Sequence, residues 1–433
     1  MRARDRKRDR MMSLESSRLL PHLGWIRAQF PALSKMVHGR PAVFMDAPGG
    51  TQVPQRVMDA MTDYLIHANA NTHGAFVTSR RTDDMYRAAH AGIADLLGCD
   101  ADEVVFGGNM TTLTFAMSRA IGREIRDGDE IVVTCLDHDA NVAPWLALEE
   151  KGAVVRTVDI DVKGCTLDMH DMQRTLTSRT RIVAVGWASN AVGTITDVRE
   201  VVRLAHAVGA LVYVDAVHYV PHQPVDVRDL DCDFLACSPY KFFGPHTGAV
   251  YGKRAHLMRL KPYKVRPCSE AIPDRWESGT QNHEGMAGVA AGIEYLAELG
   301  RRVSRDALRR RMAVTVAMEA IREYEATLSR RLIEGLLKIP RVTIYGLTDL
   351  GRVAERTPTV SIRMSGYPPL DLAEDLGERG IFVWSGNFYA QNLTQRLGVE
   401  SDGGLLRIGL AHYNTMEEIE QLLDLLQALP LRP

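Results

Sequence analysis

From about residue 100 onward, short apolar runs alternate with stretches whose apolar residues recur at helical spacing. Uninterrupted apolar strands that alternate with helices are typical of a mainly parallel sheet covered on both faces. The predicted strands are Glu103–Gly107, Glu130–Thr134, Val154–Ile160, Arg181–Trp187, Leu211–Ala216, Phe234–Cys237 and Gly248–Gly252. The helical stretches between them include Thr111–Gly122, Asp171–Leu176 and Arg199–Val208. In such an α/β domain, we expect functional groups at the carboxyl ends of the strands.

After about residue 285 the pattern changes to two long helical stretches, Ala287–Leu299 and Arg302–Leu337. Four strand-like runs follow: Val342–Tyr345, Thr359–Arg363, Ile381–Trp384 and Leu405–Ile408. A last helix is predicted from about Asn414 to Leu429, opened by a capping box of Thr415 and Glu418. The pattern predicts a smaller α+β domain over 286–433 behind a large domain over 51–285. Residues 26–50 are expected to join the small domain, and 1–25 to form a disordered or partly ordered basic arm.

Composition narrows the class of protein. The chain has 433 residues, a formal net charge of −2 and six cysteines without a CxxC pair. These values argue against a disulfide scaffold, a zinc ribbon and a nucleic-acid-binding protein. The basic start, MRARDRKRDRMM, lacks the apolar segment of a secretory signal, and no run of about 18 apolar residues could span a membrane. We therefore expect a cytoplasmic protein without a metal site.

One acidic and one basic residue follow two successive predicted strands. Asp215 ends the strand in LVYVDAVH, and Lys241 follows the next strand in SPYKFFGP. Pyridoxal phosphate requires this pair, because a lysine amine forms its Schiff base and a carboxylate keeps its pyridinium nitrogen protonated. The spacing indicates a site for this cofactor.

Seven segments then carry a family resemblance: FPALSKMVHGRPAVFMDAPGG, LDHDANVAPW, SNAVGT, VDAVH, SPYKFFGP, RWESGTQN and LLRIGLAHYNT. In this order, they resemble class V aminotransferase-fold enzymes of the cysteine desulfurase and selenocysteine lyase group. The resemblance covers about residues 30–429. It implies a fold type I, pyridoxal-phosphate-dependent homodimer. Its large domain would contain a mainly parallel, seven-stranded sheet, and its smaller domain would be α+β.

The resemblance also implies roles around the cofactor ring. Lys241 would hold the cofactor and then carry the substrate proton, and Asp215 would face the pyridine nitrogen. His138 would stack on the ring and assist proton transfer. Asn190 and His218 would bind the ring hydroxyl. The candidate catalytic residues are therefore Lys241, His138 and Asp215.

The cofactor phosphate requires backbone amides at a helix N-terminus and hydroxyl groups. The segment GGNMTTLTF offers both kinds of group after a predicted strand. This segment makes Asn109, Met110 and Thr111 candidate phosphate ligands, and the resemblance adds Ser238, Tyr240 and, from across a dimer interface, Thr280. An intact site would therefore require two subunits.

Substrate recognition is assigned to four residues. Arg407, in LLRIGL, would bind the α-carboxylate of an amino acid through its guanidinium fork. His73 lies where related enzymes place an active-site histidine. Trp384 could form a wall for a bulky side chain, with Tyr389 nearby, and Phe388, in addition to these four residues, could contribute to the same wall. Packing of the small domain explains Trp384 and Phe388 equally well.

The sequence departs from the desulfurase pattern where that group carries its nucleophilic cysteine. The stretch FVWSGNFYAQNL has Trp384, Ser385, Gly386 and then Tyr389, and no cysteine follows Cys268. A phenol cannot form a persulfide. We therefore predict a carbon–sulfur β-lyase that converts a cysteine S-conjugate into a thiol, pyruvate and ammonia.

Other reactions use the same groups. The alternatives are oxidative decarboxylation or deamination to an aldehyde, epimerisation, transamination, a desulfurase reaction at another thiol such as Cys268, or a non-catalytic regulatory role. Neither the S-substituent nor the role of Tyr389 follows from the sequence.

Overall fold

The computed structural model describes residues 17–430. Residues 1–16 of the predicted basic arm lie outside the described residues. The remainder of that segment begins with the buried Leu19 and a 3-10 turn, Leu20–His22, which runs into the helix Leu23–Ala28. Arg27 donates to the carbonyl of Tyr413 at 2.6 Å. The start of the described chain is thereby fixed to its C-terminal part.

The large sheet contains the seven predicted strands, which confirms the predicted fold class. They are β1 (Val104–Gly107), β2 (Glu130–Thr134), β3 (Val154–Val158), β4 (Thr180–Gly186), β5 (Leu211–Asp215), β6 (Phe234–Cys237) and β7 (Gly248–Gly252). Their spatial order is β1-β7-β6-β5-β4-β2-β3. Only β7 is antiparallel to its neighbours in this sheet. The carboxyl ends of the other six strands therefore meet at one edge.

Both faces of this sheet are buried except along the edge strand β3, which is largely exposed, and this burial explains the apolar runs of the other strands. Along β5, Tyr213 belongs to one hydrophobic cluster and Val214 to the other, because successive side chains point to opposite faces. The helices of this part of the chain are Gln55–His67, Val77–Leu97, Met110–Ile121, Ala143–Leu146, Met169–Thr175, Val198–Ala207, Val227–Leu230, Arg254–Arg259, His283–Val303 and Arg310–Leu336.

A second, antiparallel sheet lies in the C-terminal part. Its strands are β8 (Val342–Tyr345), β9 (Thr359–Met364), β10 (Trp384–Gly386) and β11 (Leu405–Gly409), in the order β8-β9-β11-β10. The helices Pro369–Glu378, Gln391–Arg396 and Met416–Ala428 accompany it. The predicted capping box is confirmed, because Thr415 and Glu418 bond reciprocally to each other's backbone N–H.

Two predicted strands are divided in the structure. In place of one strand over 381–384, Ile381–Phe382 pairs with Val43–Phe44, and Trp384 begins β10. Residues 43–44 thus lie beside the C-terminal sheet. The predicted strand Val154–Ile160 ends at Val158, and Ile160–Asp161 pairs instead with Thr166–Leu167. A further small hairpin pairs Met36–Val37 with Arg40–Pro41.

Within residues 17–430, no helix is long and apolar enough to cross a membrane.

Candidate active site

A cavity of about 440 Å³ lies where the carboxyl ends of β2, β4, β5 and β6 face the C-terminal sheet. Its walls are formed by residues that follow these strands and by the start of the helix Met110–Ile121. On the opposite side it is closed by residues 384–389 and by Arg407 on β11. The cavity therefore lies between the two sheets, at the edge that the strand pattern predicts.

Lys241 and Asp215 both line this cavity. Asp215 ends β5, and Lys241 closes a 3-10 turn, Pro239–Lys241, after the neighbouring parallel strand β6. The Lys241 amine donates to the carbonyl of Pro48. Burial and the positive charge of Arg407 lower the pKa of Lys241 to about 7, against the opposing effect of Asp215 and Asp46. A substantial fraction of this amine is therefore neutral and nucleophilic near pH 7.

The carboxyl group of Asp215 accepts a hydrogen bond from the Val217 N–H at 2.9 Å. Burial raises the pKa of Asp215 to about 6, although the Lys241 charge opposes the shift. Such a buried carboxylate favours a cationic partner, because an unpaired buried charge is costly.

A second buried carboxylate, Asp137, lines the cavity and was not selected from the sequence. It accepts hydrogen bonds from the Thr134 hydroxyl at 2.6 Å, the Gly186 N–H at 2.9 Å and the Asn141 amide at 2.8 Å. Burial raises its pKa to about 7. Because these bonds join the ends of β2 and β4, Asp137 fixes the segment that carries His138.

The imidazole of His138 faces the cavity beside Tyr389. Its Nδ1 accepts a hydrogen bond from the Ala140 N–H at 3.0 Å, which leaves the ring proton on Nε2. Burial, followed by the charges of Lys241 and Arg407, lowers the pKa of His138 to about 4. The ring is therefore neutral near pH 7. The Tyr389 ring stacks on it at a centroid distance of 5.4 Å.

Two side chains proposed for the ring hydroxyl also line the cavity. The Asn190 amide donates to the Phe388 carbonyl at 2.8 Å, while its buried Oδ1 has no hydrogen-bond partner among the described residues. His218 is buried, and its Nε2 lies 3.1 Å from the Thr357 hydroxyl. An orphaned buried oxygen at this position indicates that a polar ligand completes the site.

The proposed phosphate end lies at the N-terminus of the helix Met110–Ile121. Asn109 caps this helix by accepting from the Thr112 N–H at 2.9 Å, and the Met110 and Thr111 amides belong to its first turn. Gly248 permits the close approach of β7, because a Cβ there would collide with the Asn109 and Met110 backbone. Ser238, which is buried, and Tyr240 also line the cavity.

Two predicted site residues do not line the cavity of their own chain. Thr280 is exposed on the segment before the helix His283–Val303. His73 is 82% exposed and lies 3.7 Å from Asp83. Its backbone φ of 66° belongs to the turn between the helices Gln55–His67 and Val77–Leu97. The assignment of His73 to substrate binding therefore finds no support within one subunit.

Arg407 provides a buried cation at the far side of the cavity. Its Nη1 donates to the Asn190 carbonyl at 2.9 Å, and its guanidinium lies 4.1 Å from the centre of the Phe388 ring. Its Nε has no hydrogen-bond partner among the described residues. Burial lowers the pKa of Arg407 to about 9, so the group stays charged at pH 7. An unpaired buried donor of this kind suits an incoming carboxylate.

Aromatic side chains form the outer wall of the cavity. Trp384, Phe388 and Tyr389 all line it, and the Trp384 indole packs on Gly49, where a Cβ would collide with it. Phe388 and Tyr389 have consecutive positive φ values of 56° and 57°. None of the six cysteines, all within residues 17–430, lines the cavity.

Comparison with known proteins identifies the family. Residues 43–422 match the family described as aminotransferase class-V. The chain belongs to the aminotransferase class-V family. Its members use pyridoxal phosphate, and the protein is a pyridoxal-phosphate-dependent enzyme. The site of this class-V enzyme fits the cofactor, since it holds a buried lysine, a buried carboxylate and an orphaned Asn190 oxygen around one cavity.

Curated relatives of this class-V enzyme include two named cysteine desulfurase. One, from Synechococcus elongatus, is 34% identical over 413 residues, and the match covers 92% of this chain but only 62% of the relative. The other, from Pectobacterium atrosepticum, is 32% identical, and the match covers 93% of this chain and 96% of the relative. A third relative, "Aminotransferase-like protein FGM3" of Gibberella zeae, is 31% identical, and the match covers 93% of this chain and 97% of the relative.

Solved structures agree with this assignment. A cysteine desulfurase from Thermococcus onnurineus has a TM-score of 0.83 at 27% identity, covering 93% of this chain and 97% of that one. A cysteine desulfurase from Escherichia coli has a TM-score of 0.78 at 27% identity, and the match covers 93% of this chain and 96% of that one. The protein is thus of the cysteine desulfurase type among class-V enzymes.

Proposed function

We propose that this class-V enzyme is a carbon–sulfur β-lyase for S-substituted cysteines. The reaction consumes one water molecule and converts R–S–CH₂–CH(NH₂)–COOH into R–SH, pyruvate and ammonia. The observation that carries the proposal is the cavity lining. It contains groups for binding and deprotonating an amino acid but none of the six cysteines.

The residues of the cavity support each stage of such a reaction. Bound pyridoxal phosphate supplies an electron sink for the pair released when the substrate Cα loses its proton. Arg407 binds the substrate carboxylate, and the Lys241 amine accepts the Cα proton. Asp215 provides the negative charge that stabilises a protonated ring nitrogen. His138, which is neutral near pH 7, contributes a flat ring and an Nε2 proton.

The carbon–sulfur bond breaks with its electron pair remaining on sulfur. A thiolate is a sufficiently stable leaving group to depart without a protein nucleophile, and it then takes a proton. Water hydrolyses the remaining three-carbon enamine, through its imine form, to pyruvate and ammonia. Apart from the bound cofactor and water, the reaction therefore requires only groups that the cavity contains.

The thiols of the chain are poorly placed for a persulfide relay. Cys135 follows β2, but its Sγ donates to the Asn392 carbonyl at 3.4 Å, and burial raises the pKa of this thiol to about 11. Cys268 lies outside the cavity, with its Sγ 3.2 Å from the Asp274 carbonyl. A persulfide carrier requires a reactive thiolate that reaches the substrate sulfur. These contacts favour elimination over desulfuration.

The outer wall favours a bulky, apolar S-substituent. Trp384 is 53% exposed and Tyr389 is 73% exposed, although both line the cavity mouth. Exposed aromatic rings gain stability when a ligand covers them. We therefore expect S-benzyl or S-aryl cysteines to bind better than S-methylcysteine.

We also propose that two subunits share each site and that the protein acts in the cytoplasm. Thr280 is exposed and does not line the cavity of its own chain, and Thr280 of the partner subunit would supply the remaining phosphate ligand. The homodimer expected for the family supports this arrangement. The six cysteines, which form no disulfide among residues 17–430, support the cytoplasmic location, because free thiols suit a reducing compartment.

A panel of S-substituted cysteines tests the proposed reaction. The purified holoenzyme should release thiol and pyruvate in equal amounts, with the highest kcat/KM for aromatic substituents. Lys241→Ala should abolish turnover, while Lys163→Ala, at an exposed lysine, is the matched control and should retain it. A keto acid that retains sulfur, a racemised substrate or an aldehyde would support transamination, epimerisation or oxidative decarboxylation instead.

A further inference from the structure

The segment that leads into β9 docks on the turn that carries Asn190. Thr357 N–H donates to the Gly193 carbonyl at 2.8 Å, and Ile195 N–H donates to the Glu355 carbonyl at 2.9 Å. Gly193 has a φ of 80°, and a Cβ there would collide with the Thr359 carbonyl. A close and rigid contact between the two parts of the molecule is therefore built beside the cavity.

This contact places the Thr357 hydroxyl against His218. The hydroxyl oxygen lies 3.1 Å from His218 Nε2 and 3.2 Å from the Gly193 carbonyl, and both side chains are buried. His218 lines the cavity, and its Nδ1 makes no hydrogen bond to another described residue.

Burial and the charges around His218 keep its ring neutral. Burial, together with the charges of His222, Arg407 and Lys241, holds the pKa of His218 well below its ordinary value. His222 contacts the ring edge-on at a centroid distance of 5.2 Å and is itself paired with Glu325 at 2.8 Å. A neutral imidazole carries one proton, on either Nδ1 or Nε2, and its hydrogen-bond partners decide which.

The Thr357 hydroxyl likewise has one proton, which can serve only one acceptor. The Gly193 carbonyl already accepts the Thr357 N–H at 2.8 Å, whereas His218 Nε2 has no other hydrogen-bond partner among the described residues. Donation to Nε2 therefore satisfies a nitrogen that would otherwise remain unpaired. It requires the ring proton to be on Nδ1, the nitrogen that is free to face the cavity.

We propose that Thr357 is a positioning residue that fixes the tautomer of His218, so that Nδ1–H donates to an acceptor oxygen of the bound cofactor. Thr357 touches neither cofactor nor substrate in this arrangement and acts only through His218. The inference rests on the proposed cofactor site but not on the β-lyase reaction.

The test is a pH titration of the visible absorption of the resting holoenzyme, without substrate. Loss of a hydrogen-bond donor leaves the cofactor oxygen more basic. Thr357→Val should therefore raise the titration midpoint by roughly 0.5 to 1 pH unit. Thr357→Ser keeps the hydroxyl and should restore the wild-type midpoint. His218→Gln should also preserve it, because its amide can accept from Thr357 and donate to the cavity.

His218→Ala should shift the midpoint in the same direction as Thr357→Val, and the double variant should shift it no further than His218→Ala alone. An unchanged midpoint in Thr357→Val, or additive shifts in the double variant, would overturn the inference. Failure of the β-lyase assay leaves this spectrum unaffected, so the two proposals fail separately. If wild-type protein shows no visible band with added cofactor, the cofactor site and this inference are both refuted.

A second measurement covers the case in which Thr357→Val does not fold. The ¹⁵N chemical shifts of His218 in wild-type holoenzyme report which ring nitrogen carries the proton. We expect a protonated Nδ1 and an unprotonated Nε2. The reverse assignment would contradict the proposed donation by Thr357.

Discussion

At the scale of single residues, the site combines two cations with buried carboxylates. Burial is the main cause that lowers the pKa of both groups, and the charge of Arg407 lowers the pKa of Lys241 further. The consequence differs between them. Lys241 becomes partly neutral near pH 7 and can act as a nucleophile, whereas Arg407 stays a cation and keeps an unpaired Nε for a substrate carboxylate.

Substitution of Arg407 tests this division of roles. Arg407→Gln should raise KM for S-substituted cysteines about 100-fold, because a charge-assisted, bidentate contact is lost. Cofactor occupancy should change little, as measured by visible absorption. Arg363→Gln, on the neighbouring strand β9, is the matched control and should leave KM within about twofold. An unchanged KM in Arg407→Gln would reject the assignment.

Local motifs were sufficient to predict some of these residues but not others. Lys241, Asp215 and Arg407 each follow or occupy a recognisable strand, so their motifs placed them correctly in the cavity. Asp137 had a usable signal, since it directly precedes His138 in LDHDAN. Thr357 had none, because its importance arises from a contact with His218, more than 100 residues away. The sequence indicates Phe388 only as a wall residue, and no local pattern predicts the contact of its carbonyl with Asn190. His73 was selected from similarity alone.

At the scale of elements, polar side chains decide where helices and strands are anchored. Asp233, just before β6, accepts hydrogen bonds from His206 and His256, both at 2.9 Å, and from the Val212 N–H at 2.8 Å. It thereby joins the helices Val198–Ala207 and Arg254–Arg259 to β5. Burial alone would raise the pKa of Asp233, but these bonds and the charge of Lys253 outweigh it and hold the pKa below its ordinary value.

Asp233→Asn should therefore destabilise the protein in a pH-dependent way. A carboxylate whose pKa is lowered by folding stabilises the protein above its unfolded pKa of about 3.9, and that stability is lost as the pH falls through the folded value. We expect a loss of about 2–4 kcal/mol at pH 7 that narrows below about pH 4.

The midpoint of thermal unfolding, measured at pH 7 and again below about pH 4, checks this expectation. Asp231→Asn is the matched control, because Asp231 is 65% exposed in its salt bridge with Lys253 and has a φ of 61°, which asparagine tolerates. Equal losses at pH 7 and at low pH in Asp233→Asn would show that the charge of Asp233 is not responsible.

Strand prediction succeeded where periodicity was local and failed where pairing was distant. All strands of the large sheet except the edge strand β3 are largely buried on both faces, so their apolar runs are visible in the sequence. The division of 381–384 into two strands depends on Val43–Phe44, more than 300 residues earlier. No local pattern near Ile381 contains that information.

At the scale of the whole molecule, the proposed site extends beyond one chain. Three residues before Thr280, the buried Glu277 accepts hydrogen bonds from His90 at 2.9 Å and from the Phe106 N–H at 2.5 Å. The segment that carries Thr280 is thus fixed to β1 while Thr280 itself stays exposed. This arrangement suits a residue that reaches a second subunit.

Mixed dimers test the sharing of sites. Lys241→Ala and Thr280→Ala should each lower activity as homodimers, because every site contains one defect. In a mixed dimer, both defects fall in one site and the other site is intact. Activity should therefore rise when the two variants are unfolded, mixed and refolded together. No recovery in verified mixed dimers would place Thr280 outside the partner's site.

The most direct test of the central claim is the identity of the three-carbon product. An S-benzylcysteine labelled with ¹³C in its three-carbon backbone is incubated with the holoenzyme, and its products are identified by mass spectrometry. Elimination without a protein nucleophile predicts labelled pyruvate and an equal amount of benzyl thiol. Labelled alanine, with the sulfur retained on the protein, would contradict it.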